Sequence, residues 1–416
     1  MAAPMGVLLP PETSPDAAVL LATRSVRGFV DGLVSVILPG YLVLLGFGPS
    51  RVGLIITSTL VGSAVATLAV GLWGGRVRRT SLLRLASVLM VLTGVGFAAF
   101  DRFWPLMVVA ALGTLNPSAG DVSIFLPAEQ ALLPSTVSDR HRTALFGRYS
   151  LVGTTVAALG SLAAGVPEAV AQRLGSGLAG PLRAAFLVYA AAGLVVAGGY
   201  RRLSSDLESA GGAARVALGP SRRVVYRLAA LFSLDALGGG LVVQSLLALW
   251  LFERFGLSVA VTGAILFWSG LLSGLSALAA VSLARRIGLV RTMVFTHLPA
   301  NLLLMATPFM PNLVLAVACL LARSALSQMD VPTRTSYVMA IVTPAERSAA
   351  AAVTNVPRSL AAALPPVLAG AMLAHSSFGW PLVLGGALKA LYDLILLRQF
   401  RDLRPPEERS AGEARR

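Results

Sequence analysis

This 416-residue chain holds only three histidines, one cysteine and one lysine. Cys319, the lone cysteine, lies inside an apolar run, which excludes a disulfide framework and a thiolate metal site. No G-x-x-x-x-G-K-S/T phosphate loop, no G-x-S-x-G elbow and no H-E-x-x-H helix occurs, so neither an ATPase nor a hydrolase is expected. The sequence therefore predicts no enzyme, no cofactor, no catalytic residue and no metal site. Charge is scarce too: 13% of residues are charged against 56% apolar. A formal net charge of +15 would suit nucleic acid if the cations clustered on one helix or tail. They sit instead in the gaps between alternate hydrophobic segments, which is a topology signal and excludes nucleic acid as the partner.

What is present is apolar sequence of membrane-crossing length, repeated along the whole chain, with a mean hydropathy of +0.77. Twelve spans are read, at 18–46, 52–74, 81–100, 104–133, 144–166, 183–200, 224–252, 259–282, 289–308, 312–342, 348–374 and 381–398. The fourth would be roughly 45 Å long as a continuous helix, and Asn116-Pro117-Ser118 is expected to break it. With the N-terminus inside, the cytoplasmic loops receive Arg76, Arg78, Arg79 and Arg84, then Arg140 and Arg142, then Arg201, Arg202, Arg215, Arg222 and Arg223, then Arg285, Arg286 and Arg291, then Arg347. The opposite side has only scattered cations such as Arg51, Arg102, Arg173 and Arg254, so both termini are expected in the cytoplasm. The start of the chain has no basic region and carries Glu12 and Asp16 before the first apolar run, so no signal peptide is expected. Trp73, Trp104, Trp250, Trp268 and Trp380 fall near span ends and are expected as interfacial anchors.

The chain also repeats itself. Pro127-Ala128-Glu129-Gln130, followed by Asp139-Arg140-His141-Arg142, has a counterpart in Pro332-Thr333-Arg334 followed by Pro344-Ala345-Glu346-Arg347, with equal separation from Pro127 to Arg142 and from Pro332 to Arg347. Asp31 and Asp235 fall at similar depths in spans one and seven, and Gly53-Leu54-Ile55-Ile56 is similar to Gly263-Ala264-Ile265-Leu266. Residues 201–223 form the longest polar connection, with Gly211-Gly212 and Gly219-Pro220. The expected organisation is an N-terminal six-helix bundle (1–200), a cytoplasmic linker (201–223), a C-terminal six-helix bundle (224–400) and a cytoplasmic tail (401–416). Repeats of this kind are a transporter signature and would place a substrate site near mid-membrane between the halves.

The loop after span two, Gly71-Leu72-Trp73-Gly74-Gly75-Arg76-Val77-Arg78-Arg79, resembles the G-x-L-A-D-R-x-G-R-R motif of the major facilitator superfamily, with Gly75 at the acidic position. Its second-half counterpart, Leu283 to Arg291, keeps Arg286 and Gly288 and has Arg285 at that position. Ala363-Leu364-Pro365-Pro366-Val367-Leu368-Ala369-Gly370 in span eleven is similar to the family's Gly-Pro antiporter motif. The family usually carries that motif in span five, where Gly153, Gly160 and Gly165 stand without the proline. The resemblance covers essentially the whole chain. It implies an all-α membrane protein, twelve transmembrane helices in two pseudo-symmetric bundles, with spans one, four, seven and ten lining a cavity.

Charges inside spans cost at least a few kcal/mol each, so they mark cavity faces or one another. Arg24, Arg27 and Asp31 share a face of span one, and Arg323, Ser327, Asp330 and Arg334 form a stripe on span ten. Asp121 and Glu129 in span four, Arg148 in span five, Asp235 and Gln244 in span seven and Arg358 in span eleven complete the set. Asp31, with Asp235, Asp330 and Glu129, is assigned to proton coupling, because a carboxyl moved between water and a dry site changes its proton affinity. Arg24, Arg27, Gln244, Arg323 and Ser327 are assigned to the substrate cavity, and Glu129, Arg334, Arg148, Arg358, Arg76 and Arg286 to gating. Glu129 and Arg334 are expected to approach one another across the repeat axis. The competing assignment makes Arg27–Asp31 and Asp330–Arg334 structural pairs one helical turn apart, with Glu129 bound to Arg142 or Arg148. His297 and Asn301 on span nine are expected to pack rather than act, and Lys389 and Asp393 to neutralise each other along span twelve.

The function expected is secondary active transport by alternating access, coupled to protons and exporting a small molecule. The alternatives are a proton-coupled importer of a small organic anion and a transport-inactive membrane sensor on the same bundle. The partners expected are a small-molecule substrate, protons and the lipid bilayer. The expected location is a prokaryotic plasma (inner) membrane, with the protein a monomer.

Overall fold

In the computed structural model, residues 9–10, 13–73, 78–118, 124–204, 207, 218–343 and 346–400 are described. Arg76, Asp121, most of the 201–223 connection and the 401–416 tail lie outside them. The described residues are α-helical, with short 3-10 turns and no strand. The helices are α1 Pro15–Leu44, α2 Pro49–Trp73, α3 Arg79–Ala99, α4 Phe103–Leu112, α5 Phe125–Leu132, α6 Arg142–Ala163, α7 Val166–Leu174, α8 Ala179–Tyr200 and α9 Arg222–Gly240. There follow α10 Gln244–Phe255, α11 Val259–Ile287, α12 Leu289–Ala306, α13 Leu313–Ser327, α14 Asp330–Ile341, α15 Arg347–Ala363, α16 Pro365–His375 and α17 Trp380–Phe400. Eleven stretches among the described residues are long and apolar enough to cross a membrane, and the shorter apolar α4 opens the remaining, fourth span. The twelve-span all-α reading of the sequence therefore stands.

Local chemistry explains the breaks within spans. In span four the Asn116 side chain accepts from the Ser118 backbone at 3.2 Å and its hydroxyl at 2.7 Å, a turn that competes with the helix and encloses Pro117's rigid ring. Span seven breaks after Gly238-Gly239-Gly240, where helix propensity is poor, so α9 and α10 are separate. Span ten breaks between α13 and α14, and Pro332 falls in the first turn of α14, where its missing N–H leaves no gap in the ladder. Pro365 and Pro366 open α16 in the same way within span eleven. Helices α7 and α10 end on Gly175 and Gly256, whose φ of 60° and 62° are left-handed values that favour glycine.

The chain forms two compact units: 1–213 with 243–267, and 214–242 with 268–416. A single cut at the 201–223 connection therefore does not describe the packing, because α10 and the start of α11 belong with the first unit. The local cause is polar and steric. Gln244 donates to the hydroxyls of Ser35 and Ser161 at 2.9 Å each, and Ser245 donates from its hydroxyl to the Ser35 carbonyl and from its backbone to the Pro117 carbonyl. Glu168 accepts from the Ala260 amide at 2.9 Å.

Within the first unit α1 is largely buried, and its tightest neighbour is α6. A Cβ on Gly32 would collide with the Ala157 carbonyl and one on Gly160 with the Phe29 carbonyl, so the two backbones meet where side chains are absent. Tyr41, Phe97 and Phe186 form an aromatic core, with the Tyr41 hydroxyl on the Phe97 carbonyl at 3.0 Å. The second unit has its own core of Val225, Leu228, Phe232, Met293, Tyr337, Tyr392 and Phe400, among others. Leu85, Leu92, Leu194, Leu278, Leu302 and Leu394 remain exposed, as on faces that lipid would cover. Trp104, Trp268 and Trp380 are also exposed, in keeping with interfacial placement. Trp250 is not: it is fully buried in α10 against Phe255, because Leu246 to Leu251 are covered on every side.

Candidate functional site

Each unit buries one cluster of charge. In the first, Glu129 on the short helix α5 is fully covered and forms an ion pair with Arg27 of α1, which is 1% exposed. The Tyr149 hydroxyl from α6 donates to the same carboxylate, as does that of Tyr200 from α8 at 2.6 Å, and Thr23 of α1 approaches at 3.4 Å. The break in span four frees α5 to aim Glu129 at α1. Arg27 also lies over the Phe125 ring at 4.2 Å, while its Nε and Nη1 are buried without hydrogen-bond partners among the described residues. One turn before Arg27, the Arg24 guanidinium stands 5.3 Å from the Tyr149 ring centroid, and no hydrogen bond or ion pair holds it among the described residues. One turn after Arg27, Asp31 is buried near both arginines, with Asn116 as its hydrogen-bonding neighbour.

In the second unit Asp235 of α9 is the hub. Lys389 of α17 reaches its Oδ1 at 2.7 Å, and Arg334 of α14 reaches its Oδ2 at 3.1 Å. Arg334 also pairs with Asp330 one turn earlier at 3.3 Å and lies 5.2 Å from the Phe232 ring centroid. His297 of α12 sets its Nε2 3.8 Å from Asp235 and its Nδ1 3.0 Å from Asp393 of α17. Asn301, one turn along α12, donates to Asp393 at 2.9 Å. Spans seven, nine, ten and twelve thus meet in one polar knot.

The two clusters are related. Glu129 and Arg334 occupy matched positions of the repeat, each two residues after its proline, and each leaves the fourth or tenth span to pair with the first or seventh. The polarity is reversed: arginine on α1 with glutamate on α5, aspartate on α9 with arginine on α14. Neither needs the other to be neutralised. Among the described residues the partners of the Glu129 carboxylate are Arg27, Tyr149, Tyr200 and Thr23, not Arg142 or Arg148.

The remaining predicted residues fall elsewhere. Arg323 is half-buried on α13 with its Nε unpartnered among the described residues, and Ser327 is buried at the end of that helix. Gln244 is committed to Ser35 and Ser161. Arg148 is half-buried on α6, Arg358 is half-buried on α15, and Arg286 is exposed near the end of α11. The expected Asp330–Arg334 pair forms, while Arg27 pairs with Glu129. Lys389 and Asp393 do not neutralise each other, since one points to Asp235 and the other to His297. His297 and Asn301 of span nine form a buried hydrogen-bonded group with Asp393 of span twelve, as polar residues on apolar spans need partners. Tyr149 and Tyr200 carried no such signal, because a buried tyrosine is ordinary core material. The Ser269-Gly270, Ser273-Gly274 stripe of α11 packs on α13, with Ser269 and Ser324 hydroxyls 2.5 Å apart.

A helical membrane bundle with a duplicated, charge-bearing broken span is the architecture of a membrane transporter. The chain belongs to the Major Facilitator Superfamily, whose family model matches residues 20–233 and 228–416. It is 24% identical to the uncharacterized membrane protein YJR124C of Saccharomyces cerevisiae, over 93% of this chain and 94% of that one. Among solved structures it is similar to the nucleoside transporter NupG, with a TM-score of 0.70 at 14% identity, covering 93% of this chain and 99% of that one. A D-xylose-proton symporter gives a TM-score of 0.70 at 14% identity over 91% and 97% of the two chains. A bacterial homologue of the human lysosomal transporter Spinster gives 0.69 at 16% identity over 93% and 97%. These structural likenesses concern the fold.

Proposed function

We propose that the protein is a secondary active transporter that works by alternating access and couples export of a small molecule to proton entry. The observation that carries this reading is the matched pair of buried ion clusters, Arg27–Glu129 and Asp235–Arg334, each joining a broken span to its neighbour. An apolar bundle seeking only stability would fill such sites with hydrocarbon, since buried ion pairs seldom stabilise relative to apolar replacements. Groups that exchange partners as a helix moves have a reason to remain charged. Asp31, Asp235, Asp330 and Glu129 are the carboxylates assigned to proton coupling. Arg24, Arg27, Gln244, Arg323 and Ser327 are assigned to the substrate route. Glu129, Arg334, Arg148, Arg358, Arg76 and Arg286 are assigned to gating, with Glu129 and Arg334 acting through their own units' pairs. The export direction is supported by the antiporter-like sequence Ala363 to Gly370, and proton coupling has a precedent on this fold in the D-xylose-proton symporter. The arginine distribution supports both termini in the cytoplasm; placement in a prokaryotic plasma membrane and a monomeric state are part of the same proposal.

One observation favours a second reading, transport of a small organic anion. Arg24 is buried with no ion pair or hydrogen bond among the described residues, Asp31 being its nearby acid, and Arg323 keeps an unpartnered Nε, so an incoming carboxylate or phosphate would meet cations already desolvated. A thermal-shift screen across nucleosides, sugars, peptides and small organic anions tests both readings. A ligand that stabilises the wild type and loses its effect in Asp31→Asn supports the first, and one that depends on Arg24 but not on Asp31 supports the second. A screen in which ligand responses ignore both residues contradicts the site.

A further inference from the structure

The second unit keeps its acids inside and its arginines out. Among its described residues Asp235, Asp330, Glu346 and Asp393 are all buried, while Arg285, Arg286, Arg291 and Arg398 are exposed. No ion pair or side-chain hydrogen bond holds these four arginines among the described residues. The tail after α17 brings five arginines against four acids, so by count it leaves the excess standing. All four cations stand at one end of the unit. Arg285 and Arg286 close α11, and Arg291 lies in the first turn of α12, after Gly288 has turned the chain with a left-handed φ of 89°. Arg398 lies in the last turn of α17. Val290, Leu396 and Phe400 share one buried core, which brings the start of α12 to the end of α17. At the opposite end, the turns 306–313 and 375–380 contain no arginine, lysine, aspartate or glutamate.

Each helix sets its arginine at the head of an exposed apolar stripe. On α12, Arg291, Phe295 and Leu302 have i, i+4, i+11 spacing and share a face, and both apolar side chains are exposed. On α17, Leu384, Leu391, Leu394 and Arg398 do the same at i, i+7, i+10, i+14, and on α11 Leu275, Leu278 and Arg286 at i, i+3, i+11. The inward faces are occupied: His297 and Asn301 of α12 bond Asp393 of α17, so these two helices pack side by side with their stripes turned outward. At about 1.5 Å per residue the stripe runs roughly 17 Å from Arg291 to Leu302 and roughly 21 Å from Arg398 to Leu384. That is about half of the ~40 Å of a bilayer with its headgroups, the depth of one leaflet. A topology signal needs cations only in the loops. These four are built into helices, in line with surfaces as long as a lipid.

We infer that the arginine end of α11, α12 and α17 binds an anionic glycerophospholipid, with Arg291 and Arg398 on its phosphate and the stripes of α12 and α17 along its chains. A guanidinium meets phosphate oxygens through paired N–H donors and keeps its charge at any physiological pH. A zwitterionic lipid presents the same phosphate together with a cation, which four unpaired arginines repel; an anionic lipid brings no such cation. Free phosphate would meet the arginines and leave the stripes uncovered. The leaflet is the one on the arginine side, which the topology proposed above makes the cytoplasmic one. The inference goes beyond the transport reading and is independent of cargo, direction and protons.

Native mass spectrometry of the full chain in detergent counts bound lipids one at a time. The protein is titrated with phosphatidylglycerol and, separately, with phosphatidylcholine of the same chains. The first phosphatidylglycerol should bind about tenfold more tightly than the first phosphatidylcholine. Arg291→Gln with Arg398→Gln should remove most of that preference. Arg201→Gln with Arg202→Gln, which takes away the same charge from exposed arginines outside the stripes, should leave it intact. Equal binding of the two lipids by the wild type overturns the inference, as does a preference that survives Arg291→Gln with Arg398→Gln. An equal loss in both double variants overturns it too, since that marks diffuse attraction to charge. Glycerol 3-phosphate, the head without the chains, should not displace the lipid at matched concentration; displacement would make this a site for free phosphate and sink the lipid assignment. The comparison of the two lipids on the wild type needs no variant, so it decides even if a substitution disturbs folding.

Discussion

Removing the Glu129 carboxylate while leaving Arg27 in place should be the most damaging single change in the first unit. Glu129 is fully covered and receives Arg27, Tyr149, Tyr200 and Thr23. In Glu129→Leu the arginine, already short of partners at Nε and Nη1, is left buried without its ion-pair partner, with Asp31 as the remaining nearby acid for both Arg24 and Arg27. Breaking a buried pair from one side costs about 3–5 kcal/mol. The two phenols that lose an acceptor add roughly 1–3 kcal/mol each if water cannot reach them. At ~2–4 °C per kcal/mol for a unit of this size, the melting temperature should fall by on the order of 10 °C or more. Replacing both partners, Arg27→Met with Glu129→Leu, removes the unpaired charge and should recover most of that loss, because apolar substitutes for a buried pair are often neutral or better. The assay is thermal unfolding in detergent for the wild type, both single variants and the double variant, read as a double-mutant cycle. A Glu129→Leu protein that melts with the wild type, or a double variant no more stable than the worse single, would refute the reasoning. The recovered double variant should still fail in transport, which separates a functional pair from a structural one.

Three other consequences can be checked alongside. Gly160→Val should disrupt the α1–α6 contact at Phe29, costing about 1–3 kcal/mol or more, whereas the same change at Gly198, where a Cβ meets nothing, should be silent in thermal unfolding. Glu346 accepts from the Ser221 hydroxyl at 2.7 Å, from Thr343 at 2.8 Å, and from the Gly219 and Ser221 amides. These bonds, the Ser221 and Thr343 hydroxyls foremost, lower its carboxyl from the usual 4.5 to about 2. A depressed carboxyl contributes stability that is complete above its unfolded value and lost as pH falls through the folded one. Glu346→Gln should therefore speed hydrogen exchange at Gly219 and Ser221 at pH 7, with the difference from wild type fading as the pH approaches 2. Lys389→Met should destabilise the second unit more than Lys389→Arg does, in thermal unfolding, because Asp235 would lose a partner at 2.7 Å that arginine can replace.

Much of this was legible in the sequence because a membrane makes polar residues conspicuous. An arginine or aspartate inside an apolar span has few explanations, and Arg27, Asp31, Glu129, Asp235, Asp330 and Arg334 announced themselves. The repeat identified Glu129 and Arg334 as counterparts. Their partners were not legible, because pairing depends on helix rotation and on where a span breaks. Arg27 could reach Asp31 along its own helix or Glu129 across to another, and it pairs with Glu129, which the separate short helix α5 carries. Lys389 and Asp393 show the same limit: an i, i+4 spacing permits a pair, yet each side chain finds a stronger partner on a neighbouring helix. Trp250 lay near the predicted end of a span, but the break at Gly240 gave α10 a different environment, and the ring is buried. For His297 the sequence predicts a peripheral packing helix, and its hydrogen-bonded neighbour Asp393 comes from span twelve, a contact that helix packing alone sets.

The central claim is that proton movement and substrate movement are one process through these buried clusters. Flux of a ligand identified by thermal shift, followed in proteoliposomes with and without an imposed pH gradient, tests it most directly. Protons should move one way as the ligand moves the other, and Asp235→Asn should abolish the dependence on the gradient. Ligand flux that is indifferent to the gradient in the wild type would contradict it.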